Sequence, residues 1–322
     1  MGDMTRGHWR IRRAAGAAAT LGLVVGACST TKGPTPGATR SIATPVHVAA
    51  AASVATASPA PPQTGCAAVD GVVTLPSGQS MVVRAPATTE LRPAVLVLHG
   101  FTGSPAYAEA DSHLTPDALG RGVLVAYPQG TPLPSGGYGW NSGAGIYATT
   151  TGDDVTVLAS IIDLLTGSYC VEPGHVVLSG ESNGGGMVVH AACTTGINER
   201  IAAIVAVIPA VDSMVAAPCA QPGLRPLPLL VVAAQGDPIV PYAGQPPLLG
   251  QSDWFSAVAG QLDRCGSIAA EPSDQGPASV LAGQRCAAPA ALVSVPSDEH
   301  RWPHVDVGFD TNAALLALAA AA

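Results

Sequence analysis

The sequence predicts an α/β fold, a mostly parallel central sheet with helices on both faces, and three observations carry that reading. Short buried-strand runs alternate with helical patterns along about 255 residues after position 65, and alternation of this kind makes parallel strands joined by crossover helices. No internal repeat breaks that stretch up. One apolar run, His175 to Leu178, feeds into Gly180-Glu181-Ser182-Asn183-Gly184, a glycine-punctuated strand-to-helix turn.

In chain order, strand-like runs lie at Met81 to Arg84, Ala94 to Leu98, Val123 to Tyr127, His175 to Leu178, Ile201 to Ile208, Leu227 to Ala234 and Ala290 to Val295. The first of them is expected to be antiparallel at a sheet edge. Asp153-Asp154 opens a run with Val155, Leu158, Ile161, Ile162 and Leu165 at helical spacing, and the acidic pair reads as cap and dipole partner of that helix. The alanine-rich segment Thr311 to Ala322 is expected to close the fold as a helix. No insertion is large enough to suggest a separate lid or binding module.

The turn around Ser182 fits Gly-x-Ser-x-Gly. A serine at the tip of so sharp a turn needs glycines two residues to either side, because side chains there would strike the neighbouring strand and helix. Ser182 is therefore the candidate nucleophile. The run from Leu227 ends in Gln235-Gly236-Asp237-Pro238-Ile239-Val240-Pro241-Tyr242, which puts Asp237 at a strand's carboxyl end as candidate acid. The run from Ala290 opens on Pro296-Ser297-Asp298-Glu299-His300-Arg301-Trp302-Pro303, with His300 as candidate base and His304, four residues on, as its rival. Serine, acid, histidine is the order in which triads fall on this kind of sheet. For charge developing on a substrate carbonyl, the available donors are the backbone amide of Asn183 and that of Phe101 or Thr102 in the loop after His99-Gly100. His99 reads as the residue that orients this loop.

On these stretches, together with Leu98-His99-Gly100, Tyr127-Pro128-Gln129-Gly130, Gly139-Trp140-Asn141 and Asp153-Asp154-Val155, the chain resembles the polyhydroxybutyrate depolymerase and feruloyl esterase group of α/β-hydrolases, related to carbohydrate esterase family 1. The resemblance spans about residues 66 to 318. It implies an α/β-hydrolase fold and a serine esterase whose nucleophile, acid and histidine fall on Ser182, Asp237 and His300. Three departures stand out. Glu181 occupies a place where the family usually has an apolar residue, and is expected to point into solvent. Asp298-Glu299 stands before the histidine instead of glycines, and His304 follows Trp302-Pro303 instead of a glycine. Trp140, Asn141, Tyr242 and Trp302 are candidate substrate contacts, with loop anchoring as the competing role for each. The sequence calls for no metal and no cofactor.

Residues 1 to 13 carry Arg6, Arg10, Arg12 and Arg13, residues 14 to 27 are apolar and small, and Cys28 follows. Fourteen apolar residues are too few for a spanning helix, and small residues before a cysteine fit a lipoprotein signal with Cys28 as the lipidated residue. Residues 28 to 64, rich in Thr, Pro, Ala and Ser, are expected to tether the 65–322 domain to a membrane outside the cytoplasm. Without residues 1 to 27, the chain has 10 basic and 21 acidic side chains, a net charge of −11. Nucleic acid is therefore not an expected partner; an ester substrate and the membrane anchor are.

Six further cysteines, an even number in an export context, read as disulfides with fifteen possible pairings. The family resemblance implies Cys265 with Cys286, and Cys193 with Cys219 is the second expected pair. Two other functions compete with the esterase. A serine peptidase shares the triad order but usually carries a propeller, for which residues before 66 offer nothing; a non-catalytic surface lipoprotein could keep the scaffold for binding.

Overall fold

The computed structural model describes residues 65–145, 152–273 and 276–322. The expected signal segment, Cys28 and the expected tether lie outside the described residues. Twelve strands are present among them: β1 (Val69–Thr74), β2 (Ser80–Ala85), β3 (Arg92–Leu98), β4 (Leu124–Pro128), β5 (Thr131–Pro132), β6 (Tyr138–Gly139), β7 (Val171–Glu181), β8 (Ala203–Val207), β9 (Leu229–Ala234), β10 (Ser267–Glu271), β11 (Ser279–Gln284) and β12 (Ala290–Val295). The helices are α1 (Pro105–Ser112), α2 (Leu114–Gly120), α3 (Asp154–Ser168), α4 (Ser182–Ala192), α5 (Thr195–Asn198), α6 (Ser213–Ala216), α7 (Gln251–Gln261) and α8 (Thr311–Ala321).

Ten strands form one sheet in the order β1-β2-β4-β3-β7-β8-β9-β12-β11-β10. Its six central members, β4, β3, β7, β8, β9 and β12, are mutually parallel. All seven predicted strands are present. The first edge is antiparallel as expected, through β1, β2 and β4, and β1 itself lies outside the predicted runs. The other edge is antiparallel too, where β10 and β11 add a hairpin to β12. That hairpin lies outside the predicted runs, because its residues are half-exposed and its apolar stretches, Ile268 to Ala270 and Val280 to Ala282, are only three residues each.

Burial on both faces explains why the central strands read as continuous apolar runs. Along β3, Leu96 and Leu98 face the layer formed by α3, α4 and α7, where Leu158, Ile161, Met187, Trp254 and Phe255 pack. Val95 and Val97 face the opposite layer, with Ala108, Leu114, Leu315 and Leu316 of α1, α2 and α8. Local capping sets where these helices begin. Ser104 caps α1 by accepting from the Tyr107 amide at 3.2 Å, with Pro105 at the first helical position, and Asp310 caps α8 by accepting from the Ala313 amide at 2.8 Å.

Three disulfides tie the fold together. Cys265–Cys286 and Cys193–Cys219 are the expected pairs. The third, Cys66–Cys170, joins residues 104 apart in sequence and lies where β7 begins. Cys265 and Cys286 flank the open end of the β10–β11 hairpin, whose register sets Ser267 opposite Gln284, so the bond closes an edge with little apolar area of its own.

Candidate active site

Because the central strands are parallel, their carboxyl ends share one rim of the sheet, and the loops after β3, β7, β9 and β12 meet there. Gly180 pairs with Leu98, so the loop after His99 starts directly beside the turn holding Ser182. Ser182 has φ of +51°, left-handed backbone that non-glycine residues rarely adopt. Its neighbours show what makes room for it. A Cβ on Gly180 would come within 2.7 Å of the Gly184 carbonyl oxygen, and one on Gly184 within 2.5 Å of the Leu98 and His99 oxygens. β7, the start of α4 and the end of β3 are packed as closely as backbone allows.

The acid and histidine loops run together. The Gly236 amide donates to the Ser297 carbonyl at 2.8 Å, and a Cβ on Gly236 would come 3.1 Å from Asp298. Asp237 is buried, 4% exposed. Its Oδ1 accepts from the amides of Ile239 and Val240, both at 2.8 Å, and its Oδ2 lies 2.7 Å from His300 Nδ1. The two amides fix the carboxylate's orientation and leave one oxygen for the imidazole. With Nδ1 donating to Asp237, Nε2 of His300 is the nitrogen left to accept a proton. His304 is engaged elsewhere: its Nε2 meets the Asp111 carbonyl at 2.9 Å and its ring stacks on His113 at 5.1 Å. The structure thus pairs Asp237 with His300 and separates His304 from it.

The loop after β3 turns at once, the Gly103 amide donating to the Gly100 carbonyl at 3.0 Å, and Thr102 sits at φ +64°. His99 props this turn from beneath. Its Nδ1 donates to the Gly100 carbonyl at 2.7 Å and its Nε2 accepts from the Gly130 amide at 3.1 Å. Burial pushes its pKa down to about 4, so the ring is neutral at ordinary pH. Asn183, the first residue of α4 after the serine, uses its side chain for support. Its Oδ1 accepts from the Trp140 amide at 2.7 Å and its Nδ2 donates to the Trp140 carbonyl at 3.0 Å.

The aromatic candidates divide. Trp140 is fully buried and donates from its indole to the His99 carbonyl at 2.9 Å. Trp302, 1% exposed, donates from its indole to Asn312 Oδ1 at 3.0 Å and from its amide to Asp111 Oδ2 at 2.9 Å. Both are loop anchors and present no face to a substrate, which corrects their candidacy as substrate contacts. Asn141 is likewise held: its amide donates to Asp154 Oδ2 at 2.7 Å and its Nδ2 to the Gly152 carbonyl at 2.9 Å. Tyr242 is half-buried against the core, and of the three aromatic candidates it is the one not fully buried. The acidic pair also divides. Asp153 caps α3 through the Thr156 amide, as expected, whereas Asp154 is buried and accepts from Asn141 and Thr131.

Glu181 is the clearest correction. Instead of facing solvent it is 4% exposed, with Oε1 3.4 Å from the Gly100 amide and Asp111 as the neighbouring acid. Desolvation first, and then the neighbouring Asp111 carboxyl, raise its pKa to about 8. Asp111 had no signal in the sequence, since α1 brings it to the site from 70 positions away. Among the described residues no group of three or more His, Cys, Asp or Glu is arranged to hold a metal.

No family model matches the chain. Among solved structures, the chain superposes on an acetyl xylan esterase from Aspergillus awamori with a TM-score of 0.53, covering 77% of this chain and 98% of that one at 15% identity. An S-formylglutathione hydrolase from Agrobacterium tumefaciens gives 0.53 over 80% and 97% at 16% identity. The fold is that of an α/β-hydrolase. In sequence, 162 residues are 31% identical to NocK of Nocardia uniformis subsp. tsuyamanensis, provisionally named an esterase, covering 50% of this chain and 44% of that protein. Another 152-residue match, 32% identical, is to feruloyl esterase B of Piromyces equi, covering 47% of this chain and 27% of that protein. The chain therefore spans less than half the length of these curated relatives.

Proposed function

We propose that this protein is a serine esterase that hydrolyses carboxylic esters through an acyl-enzyme, with Ser182 as nucleophile, His300 as general base and acid, and Asp237 as the group that orients the imidazole. The observation that carries the reading is the His300–Asp237 bond at 2.7 Å on loops at the same rim of the sheet as a serine held at φ +51°. The Ser182 hydroxyl attacks the ester carbonyl carbon while His300 Nε2 takes its proton, and the proton passes to the leaving alkoxide as the C–O bond breaks. Water then repeats the sequence on the acyl-serine and frees the acid. The carbonyl oxygen, negative at each tetrahedral stage, is held by the Asn183 amide and by that of Phe101 or Thr102. Each such donor is worth about 3 kcal/mol in the transition state.

The esterase names of the relatives support acetyl and feruloyl-type esters as substrate class, with short-chain hydroxyalkanoate esters, suggested by the sequence resemblance, as the second arm to be tried. The expected setting is outside the cytoplasm, with the chain lipidated at Cys28 and held to the membrane. Three disulfides support an oxidising compartment.

The test is hydrolysis of p-nitrophenyl acetate, butyrate and octanoate and of methyl ferulate by the purified protein and its Ser182→Ala variant. Turnover lost in the variant is expected. A folded protein inert on every ester, or a variant as active as the parent, would sink the reading.

A further inference from the structure

We propose that Glu181 is a positioning residue of this reaction: its buried carboxyl shares one proton with the half-buried carboxyl of Asp111, and the two hold the oxyanion loop and the histidine loop in register with Ser182. The proposal rests on the esterase reading above and adds a residue to it.

The geometry is a bridge across three loops. Glu181 is the residue before the nucleophile and ends β7. Its Oε1 faces the Gly100 amide at 3.4 Å, and a Cβ on Gly100 would lie 3.4 Å from Ser182 Cβ and 3.6 Å from Glu181 Oε1, so the oxyanion loop rests on this side chain. The acid that acts on Glu181 is Asp111, in the last turn of α1. Asp111 in turn holds the histidine loop at two points, accepting from the Trp302 amide through Oδ2 and from His304 Nε2 through its backbone carbonyl, both at 2.9 Å. Trp302 is two residues from His300. A displaced Asp111 would therefore displace the base.

Two carboxyl groups bond to one another only when one of them carries a proton, since two carboxylates have lone pairs and no donor. Glu181, buried and raised to about 8, is the member that keeps it at neutral pH. The groups that face the pair are few. From α1 there are Asp111 itself and the phenol of Tyr107, on whose pKa both carboxyls act; from the loop after β3, the Gly100 amide; from the histidine loop, the Trp302 amide and His304, whose ring stacks on His113. Among the described residues no cation is seen to act on Glu181. Loss of the proton to solvent leaves two like charges in a desolvated space beside the position of the oxyanion. Both consequences oppose catalysis: the carboxylates repel, loosening Asp111 from Trp302, and the new charge disfavours the tetrahedral intermediate.

The experiment uses the full chain in three forms, wild type, Glu181→Gln and Glu181→Ala, and follows kcat and KM for p-nitrophenyl acetate from pH 6 to 10 after subtraction of the uncatalysed rate. Glutamine donates to Asp111 and accepts from Gly100 as the protonated glutamate does, but cannot ionise. Wild-type kcat is expected to fall about tenfold between pH 7 and 9, since one unit above a pKa of about 8 only about a tenth of the sites keep the proton. In Glu181→Gln this alkaline fall disappears and kcat at pH 7 stays near wild type. Glu181→Ala loses kcat at pH 7 with KM little changed, and the comparison with glutamine separates that loss from mere packing. Identical alkaline limbs in wild type and Glu181→Gln would overturn the proposal.

A second measurement stands apart from ester turnover. A glutamate that keeps its proton to about pH 8 when folded, but loses it near 4.5 when unfolded, makes the folded state less stable as pH rises between those values and has no further effect above them. Melting temperatures from pH 5 to 8 should therefore decline more in wild type than in Glu181→Gln. Parallel curves would refute the shared proton even if no ester were ever hydrolysed; absent turnover with diverging curves would refute only the esterase reading.

Discussion

The two halves of the site are fixed by different means. On the nucleophile side, the chain has excluded side chains: Gly180, Gly184 and Gly185 would each push a Cβ to within 2.8 Å of a neighbouring atom. On the histidine side, the loop after β12 is held by a handful of long-range hydrogen bonds, to Asp237, Asp111 and Asn312, each with one defined geometry. The first arrangement tolerates no added atom; the second loosens when it loses a partner. Atoms added to the close-packed glycines should therefore appear first as lost stability, and partners lost from the histidine loop should appear in turnover as well.

The largest expected effect is on the histidine side. His300→Ala should lower kcat by about 10⁴-fold or more with an unchanged melting temperature, whereas His304→Ala should cost under about tenfold. Steady-state kinetics on one ester decides this, and equal losses would return His304 to candidacy. On the nucleophile side, Gly184→Ala puts a methyl group 2.5 Å from two backbone oxygens, and should destabilise the fold by about 3 kcal/mol in chemical denaturation. A wild-type denaturation midpoint would mean that the packing has slack, and the contrast would fail.

Asn312→Ala comes next. It leaves the Trp302 indole and the Ser112 carbonyl without their buried partner, at a cost of about 2 kcal/mol, and kcat should fall more than KM rises as the loop loosens. The smallest effect on turnover is remote from both halves. Asp263, buried with Oδ2 unpartnered, has its pKa raised to about 8 by desolvation. Because its unfolded form ionises near 3.8, it lowers stability as pH climbs from about 4 to 8. Asp263→Asn should flatten that part of the melting-versus-pH curve and leave kcat alone.

The same contrast explains what could be read before the structure. Steric exclusion writes itself into sequence as glycine at fixed spacing, so the turn around Ser182 was legible, as were the apolar central strands and the order of Ser182, Asp237 and His300. Hydrogen bonds between distant segments leave no such mark. Nothing in the vicinity of Asp111 announces that Glu181, Trp302 and His304 converge on it, and Glu181 alone looked like a surface residue. Trp140 and Trp302 were ambiguous for a related reason: an indole beside a motif suits either a substrate or an internal carbonyl, and only the satisfied N–H decides. The β10–β11 hairpin gave little signal because its apolar stretches are three residues long and a disulfide closes it. The pairing of Cys66 with Cys170 is set by the meeting of strand starts far apart in the chain.

That bond also determines how the domain bears a pull. Cys66 precedes β1, the outermost strand on its edge, and a force on the chain ahead of it would otherwise peel β1 from β2 and then β2 from β4. The sulfur bridge bypasses this zipper and delivers the load to the foot of β7, a central strand hydrogen-bonded on both sides, at the end of the sheet opposite Ser182. Oxidised, the domain resists from its middle; reduced, it should yield first at β1, at a markedly lower force in a single-molecule stretching experiment.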